Sequence, residues 1–305
     1  MKKMKTAMNE SATLRWMVLL LVGFVLFTNY YFYDAFSTLK QLLVDEFQFT
    51  NYEYGLFASF YSVPNTFLAM AVIGGVFLDK WGIRITGFMF VFFMAFGAML
   101  TAYGASEIYQ NGIGYGFMQS FLPSYSPELK MMLLGRFFFG LGAETSIVVV
   151  SKVLVKWFKG KNLALAFGLK VGFGRLGTFA ALQASPFLAG EDGSGLNVAI
   201  WLAAMLVCIG LLVFIVYMFF DFNLDKQIDS TSGETVEKNQ FKFKDLLDLL
   251  SNRAYLYIAL LCLTFYSAVF PFMQYAPDLF FHKFGMSKLE SGQIASILPF
   301  ATAIM

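Results

Sequence analysis

"GGVFLDKWGIRITG", residues 74–87, decides how this chain is to be read. It sets Asp79, Lys80 and Gly82 between two runs too apolar to live in water, residues 52–78 and 83–105, with Arg84 at the start of the second. Glycine takes backbone angles closed to other residues, so Gly82 lets the chain reverse within a few positions. Gly75 leaves room for a neighbouring helix. Asp79 falls at a helix end where a cation or a helix N-terminus can meet it. Lys80 and Arg84 hold the turn on one side of a bilayer, because positive residues stay on the cytoplasmic face.

Composition agrees with the turn. With 58% hydrophobic residues, 14% charged residues and a mean hydropathy of +0.64, the chain is outside the range of water-soluble domains. A span takes about 20 mostly apolar residues, and seven runs qualify: 14–38, 52–78, 83–105, 129–157, 162–189, 197–220 and 254–281. An eighth starts near 288 and the chain stops inside it, so an incomplete protein is expected. Basic residues cluster in alternate connections, which places the N-terminus in the cytoplasm. Expected, then, is an all-α polytopic membrane protein: a six-helix bundle over 1–220, a cytoplasmic linker over 221–252, and the beginning of a second bundle over 253–305. Within the linker, Phe243, Leu246, Leu247 and Leu250 share one face of a helix suited to the membrane interface. The aromatic segment 106–128 before span four reads either as a lid or as a packed loop. Cys208 and Cys262 fall inside spans and offer no disulfide or metal spacing.

Six spans followed by a linker is the plan of many secondary transporters. The turn at 74–87 resembles the signature of the major facilitator superfamily: Gly75, Asp79, Lys80, Gly82 and Arg84 fit it, while Ile83 departs where a basic residue is usual. The resemblance implies an inner-gate element in which Asp79 locks the outward-open state. "LLGRFFFGLGAE" resembles the superfamily's fourth-span pattern through Arg136, Gly140 and Gly142. A narrower resemblance, carried by "FYSVPNTFLAMAVIGGVFLDKWGIR", "WFKGK", "LAFGL" and "RLG", is to the subfamily named major facilitator superfamily domain-containing protein 1, the lysosomal dipeptide transporters. The N-terminus lacks an acidic dileucine sorting signal, the outer segment before span four looks inserted, and Lys170 stands where that family tends to have a neutral polar residue, so a prokaryotic relative in a cytoplasmic membrane is expected.

Buried charges mark the site. Span four runs inward from Leu129, putting Glu144 roughly 22 Å down. Span five runs outward from Asn162, putting Arg175 about 20 Å up, so the two share a level near the midplane. An unpaired charge there costs about 2.5 to 3.5 kcal/mol or more. Either the two form a permanent ion pair, or they clamp a zwitterion, Glu144 on an ammonium and Arg175 on a carboxylate. The dipeptide-transporter resemblance implies the second. Tyr33 and Asp34 in span one, Tyr61 and Asn65 in span two and Tyr266 in span seven are further candidates to line the cavity, with Asn29, Tyr30 and Gln274 beside them. Asp34 is also placed to hold an outer gate. Arg136 is expected to brace helices, Lys152 and Lys170 to snorkel to the interface, and His282 to sit in solvent.

Nothing in the sequence supports soluble catalysis: there is no phosphate-cradling GxxxxGK, no metal-ligand spacing and no nucleophile elbow. No cofactor, metal or nucleic acid is called for. The expected partners are a peptide or other small solute and the lipid bilayer, with proton coupling open, since a Glu beside an Arg can take a proton when substrate claims the Arg. A carrier of short peptides working by alternating access is the main expectation. A carrier of another organic ion or drug, or a transport-inactive scaffold or sensor, stays open.

Overall fold

In the computed structural model, residues 8–231 and 248–304 are described. Several helices start where a side chain occupies amide groups that the first turn leaves free. Ser126 accepts from the amide of Leu129 at 3.1 Å ahead of α8 (Pro127–Phe158). Asn252 accepts from Ala254 and Tyr255 ahead of α11 (Arg253–Phe284). Thr50 and Glu53 form a reciprocal capping box at α3 (Asn51–Phe60). The remaining long helices are α1 (Ala12–Thr38), α5 (Met70–Gly104), α9 (Leu163–Ala189), α10 (Leu196–Thr231) and α12 (Lys288–Ile304). Short pieces α2 (Lys40–Phe47), α4 (Val63–Leu68), α6 (Glu107–Gln110) and α7 (Tyr115–Ser120) lie between them. Among the described residues, six helices, α1, α5, α8, α9, α10 and α11, are long and apolar enough to cross a membrane.

The turn at 74–87 reverses as its glycine requires. Gly82 has φ 78° and ψ 176°, and the Phe77 and Phe90 rings stand 6.1 Å apart. Thirteen residues of straight helix would separate them by about 20 Å. Thr86 then donates to the Phe77 carbonyl at 3.0 Å, sealing the reversal. Thus α5 carries the end of expected span two and all of span three. The first part of span two is not one rod. It breaks between α3 and α4 at Tyr61 and Ser62, and again at Ala69, which is left-handed with φ 48°. Pro64 starts α4 without an amide to place, and Asn65 Oδ1 accepts from the Ala71 amide at 3.3 Å, taking up a donor freed by the second break.

Helix pairing follows small residues, as it must where lipid is as apolar as leucine. Gly140 and Gly142 stand about 200° apart around α8 and meet different neighbours: a Cβ on Gly140 would overlap the Tyr61 carbonyl, one on Gly142 the Phe90 carbonyl of α5. Gly97 and Gly135 bring α5 and α8 together elsewhere in the same way. α1 packs on α9 and α10, α10 on α5, and α12 on α9, around a core that includes Phe32, Met94, Phe139, Trp157 and Phe214.

One helix end differs from the expected boundary. α10 continues to Thr231, past the expected linker start at 221, because Asp221 and Asp225 are held by cations of neighbouring helices. Of the expected interfacial helix, Phe243, Leu246 and Leu247 lie outside the described residues; Leu250 is exposed. Segment 106–128 is a packed loop: Tyr109 is buried between the rings of Tyr103 and Tyr115, and Lys130 Nζ donates to the carbonyls of Met118, Phe121 and Leu122.

Candidate functional site

The broken span two, α1, α8, α9 and α11 enclose a cavity of about 640 Å³, within the range of small-molecule sites. Glu144 of α8 and Arg175 of α9 both line it, as the depth arithmetic requires, together with Tyr33, Tyr61, Asn65 and Tyr266. Asn29 and Tyr30 line it too, whereas Gln274 lies outside it, donating to the Tyr54 hydroxyl at 3.3 Å. The break at Tyr61 has a direct consequence for the site. It swings that side chain inward, where its hydroxyl donates to Glu144 Oε1 and its ring packs 4.6 Å from that of Tyr33.

Glu144 and Arg175 do not form an ion pair: neither takes part in any salt bridge among the described residues. Both are half-buried and face the cavity. A carboxylate held by one phenol and a guanidinium with no carboxylate partner among the described residues, both lining one cavity, present one negative and one positive handle.

Asp34 does not line the cavity. It is buried and accepts from the Thr178 hydroxyl at 2.6 Å, tying α1 to α9. The carboxylate that bridges α11 to the N-terminal helices is Asp278, whose Oδ2 takes Lys40 Nζ at 2.6 Å. Lys40 also stands over the rings of Tyr54 and Tyr275, at 5.7 and 5.5 Å. His282 is exposed as expected, yet not free: Nε2 lies 3.2 Å from Gln41 Oε1 and 3.5 Å from Asp278 Oδ1.

Arg136 of α8 lies among ring faces. It is fully buried, none of its three side-chain nitrogens has a hydrogen-bond partner, and its guanidinium lies 4.5 Å from both the Phe36 and Phe57 ring centres. A desolvated cation over aromatic faces gains about 2 kcal/mol.

At the Gly82 end, Asp79 is bonded to Lys152 of α8. Lys152 therefore turns to a carboxylate instead of snorkelling. Arg84 reaches Asp225 at 2.7 Å and Asp221 at 3.2 Å, and Lys156 reaches the same two at 2.6 and 2.7 Å. Asp221 is buried and also accepts from the Tyr217 hydroxyl at 3.0 Å. Lys80 is exposed. The close approach expected of Gly75 belongs to Gly74, where a Cβ would press on Thr145; around Gly75 the described residues leave open space.

Sequence reasoning missed Lys170, which lines the cavity, and the Lys40–Asp278 bridge. Lys170 could have been found by noticing that it lies about 7.5 Å along one helix from Arg175; the bridge joins residues 238 positions apart, and no local pattern marks it.

The Major Facilitator Superfamily pattern matches residues 18–305. Among curated proteins, the lysosomal dipeptide transporter MFSD1 of Danio rerio is 27% identical over 300 residues, covering 95% of this chain and 59% of the relative. The transporters of the same name from Mus musculus and Homo sapiens are 28% and 27% identical over the same length. The chain thus spans 59% of the length of each of these relatives.

Proposed function

Because the chain belongs to the major facilitator superfamily, we propose that it acts as a carrier of dipeptides, binding them between Glu144 and Arg175 and working by alternating access. The observation that carries this reading is the pair of unneutralised charges in one cavity. A dipeptide zwitterion supplies an ammonium for Glu144 and a planar carboxylate for the guanidinium fork of Arg175. Tyr61 fixes the Glu144 carboxyl by donating to it, while Tyr33, Tyr266 and Asn65 line the walls. The curated relatives being dipeptide transporters supports the substrate class.

The N-terminus and the Gly82 turn lie in the cytoplasm of a cell whose cytoplasmic membrane holds the protein, and the Lys40 end faces outward. Basic residues such as Lys156, Lys159 and Lys161 at the Gly82 end support that orientation. Lys40–Asp278 and Gln274–Tyr54 then join α11 to the first bundle on the outer side, which fits a state closed to the outside. The two bundles of residues 1–220 and 253–305 rock about the cavity, with the Gly75–Arg84 turn as the inner gate.

Counterflow of a labelled dipeptide in proteoliposomes containing the full-length protein tests the clamp. Glu144→Gln and Arg175→Ala each lower uptake at least about thirtyfold, the cost of stranding one charged group at a buried contact. Unchanged uptake in both variants sinks the clamp. An absence of dipeptide uptake by the unaltered protein favours another small organic ion, or a scaffold or sensor without transport.

A further inference from the structure

The cavity holds a second cation that a dipeptide's two termini leave unanswered. Lys170 precedes Arg175 on α9 and lies about 7.5 Å nearer the Gly82 end. It lines the same cavity. Its Nζ donates to Ser151 Oγ at 2.6 Å, and the Ser151 hydroxyl itself donates to the Ile147 carbonyl at 2.8 Å. The Phe167 ring stands 5.7 Å from the ammonium. The charged groups of the surrounding helices are otherwise engaged: Lys152 of α8 holds Asp79, Asp34 of α1 takes the Thr178 hydroxyl, and Glu144 takes the Tyr61 hydroxyl. No salt bridge among the described residues involves Lys170. The cavity's fixed charges are therefore one carboxylate and two cations. A neutral zwitterion satisfies Glu144 and Arg175 and leaves Lys170 facing an apolar-walled space, where an ammonium attracts an anion far more strongly than it would in open water.

We propose that Lys170 makes this carrier select dipeptides with an acidic C-terminal residue. In such a peptide the main-chain carboxylate on Arg175 and the side-chain carboxylate leave the same Cα, so the second can turn down α9 to Lys170 while the ammonium stays on Glu144. A lysine suits this role, because its flexible stem and point charge do not demand one side-chain length. The same charge repels peptides with a basic side chain, so selection works by exclusion as well as attraction. The inference rests on the dipeptide reading above.

The test compares Ala-Glu with Ala-Gln, nearly equal in shape, in proteoliposomes of the full-length protein at neutral pH and zero membrane potential. The unaltered protein takes up Ala-Glu about tenfold better than Ala-Gln, the scale of one close charge pair at a binding site. Lys170→Met brings the ratio near one, and Lys170→Arg retains a preference. Where Lys170→Met does not transport, the same two peptides are titrated against its thermal stability, and the ratio of their half-maximal concentrations is read instead. A ratio of one in the unaltered protein, or a ratio that Lys170→Met does not move, overturns the role of Lys170 while leaving the dipeptide reading standing. Uptake of neither peptide overturns both.

Discussion

Lys40→Met should open the cavity to the outside. Lys40 Nζ and Asp278 Oδ2 are 2.6 Å apart, with side-chain exposures of 11% and 17%, so this is a bridge largely out of water joining the first bundle to α11. The bare attraction of unit charges at that distance is about 6 kcal/mol at an effective dielectric of ~20. Most of that is offset by stripping water from both groups. What an experiment reads is the cost of stranding Asp278, beside which the His282 ring stands 3.5 Å away on the solvent side. Removing one partner of a buried charge pair costs about 2 kcal/mol at the low end, or near thirtyfold in an equilibrium constant. The stranded carboxylate regains water only when the outer side parts, so the cost falls on the closed state.

The assay is the rate at which a membrane-impermeant thiol reagent, added outside, labels a cysteine placed at Ser62 on the cavity wall, with Cys208 and Cys262 replaced by serine. While the closed state dominates, Lys40→Met raises that rate about thirtyfold. Asp278→Asn raises it less, because Lys40 keeps the ring faces of Tyr54 and Tyr275. The double variant falls short of the two singles combined, since the second change removes a group that the first has already stranded. Labelling rates equal to the unaltered protein's in both single variants would refute the latch.

At the Gly82 end, burial ranks the charges. Asp221→Asn removes the buried carboxylate that Arg84 and Lys156 share, leaving both cations only Asp225, and should lower the thermal midpoint in detergent by more than Asp79→Asn, whose Lys152 partner is 42% exposed; the costs are about 2 kcal/mol against less than about 1. Equal midpoints would contradict that ranking. Gly140→Ala should cost about 1 to 3 kcal/mol and unsettle Tyr61, because the added methyl overlaps the Tyr61 carbonyl; a midpoint unchanged from the unaltered protein would show that the break in span two does not depend on this contact. In the turn after α9, the amide and hydroxyl of Ser194 both donate to Asp192 Oδ1 and hold its carboxyl below the usual carboxylate range. That contribution is present above the ordinary aspartate pKa and is lost as pH falls through the depressed one, so in Ser194→Ala the Asp192 carboxyl titrates at higher pH, as NMR of labelled aspartate would record; an unmoved titration would discount the hydroxyl's part.

The sequence made legible what depends on one coordinate, distance along a helix. Spans follow from apolar length, the reversal at Gly82 from the one residue that adopts φ 78° without strain, and the shared level of Glu144 and Arg175 from rise per residue alone. Azimuth around each helix is weaker information in a chain this uniformly apolar, since a stripe needs a polar contrast to show. Asp34 and Tyr33 are adjacent, and only the fold decides that the tyrosine meets the cavity while the aspartate meets Thr178. The breaks at Tyr61 and Ala69 leave no compositional trace either; Pro64 and the facing Gly140 are their residue-level signs, and the second lies on another helix. Lys152 is different, because depth could have placed it. It sits about 10 Å above the Lys159 turn and Asp79 about 4.5 Å above Gly82, at one end of neighbouring spans. A lysine stem covers that difference before it reaches the interface. An ammonium near the end of its span takes a carboxylate that lies closer than the interface, and that comparison of two distances identifies the Asp79 partner without any knowledge of azimuth.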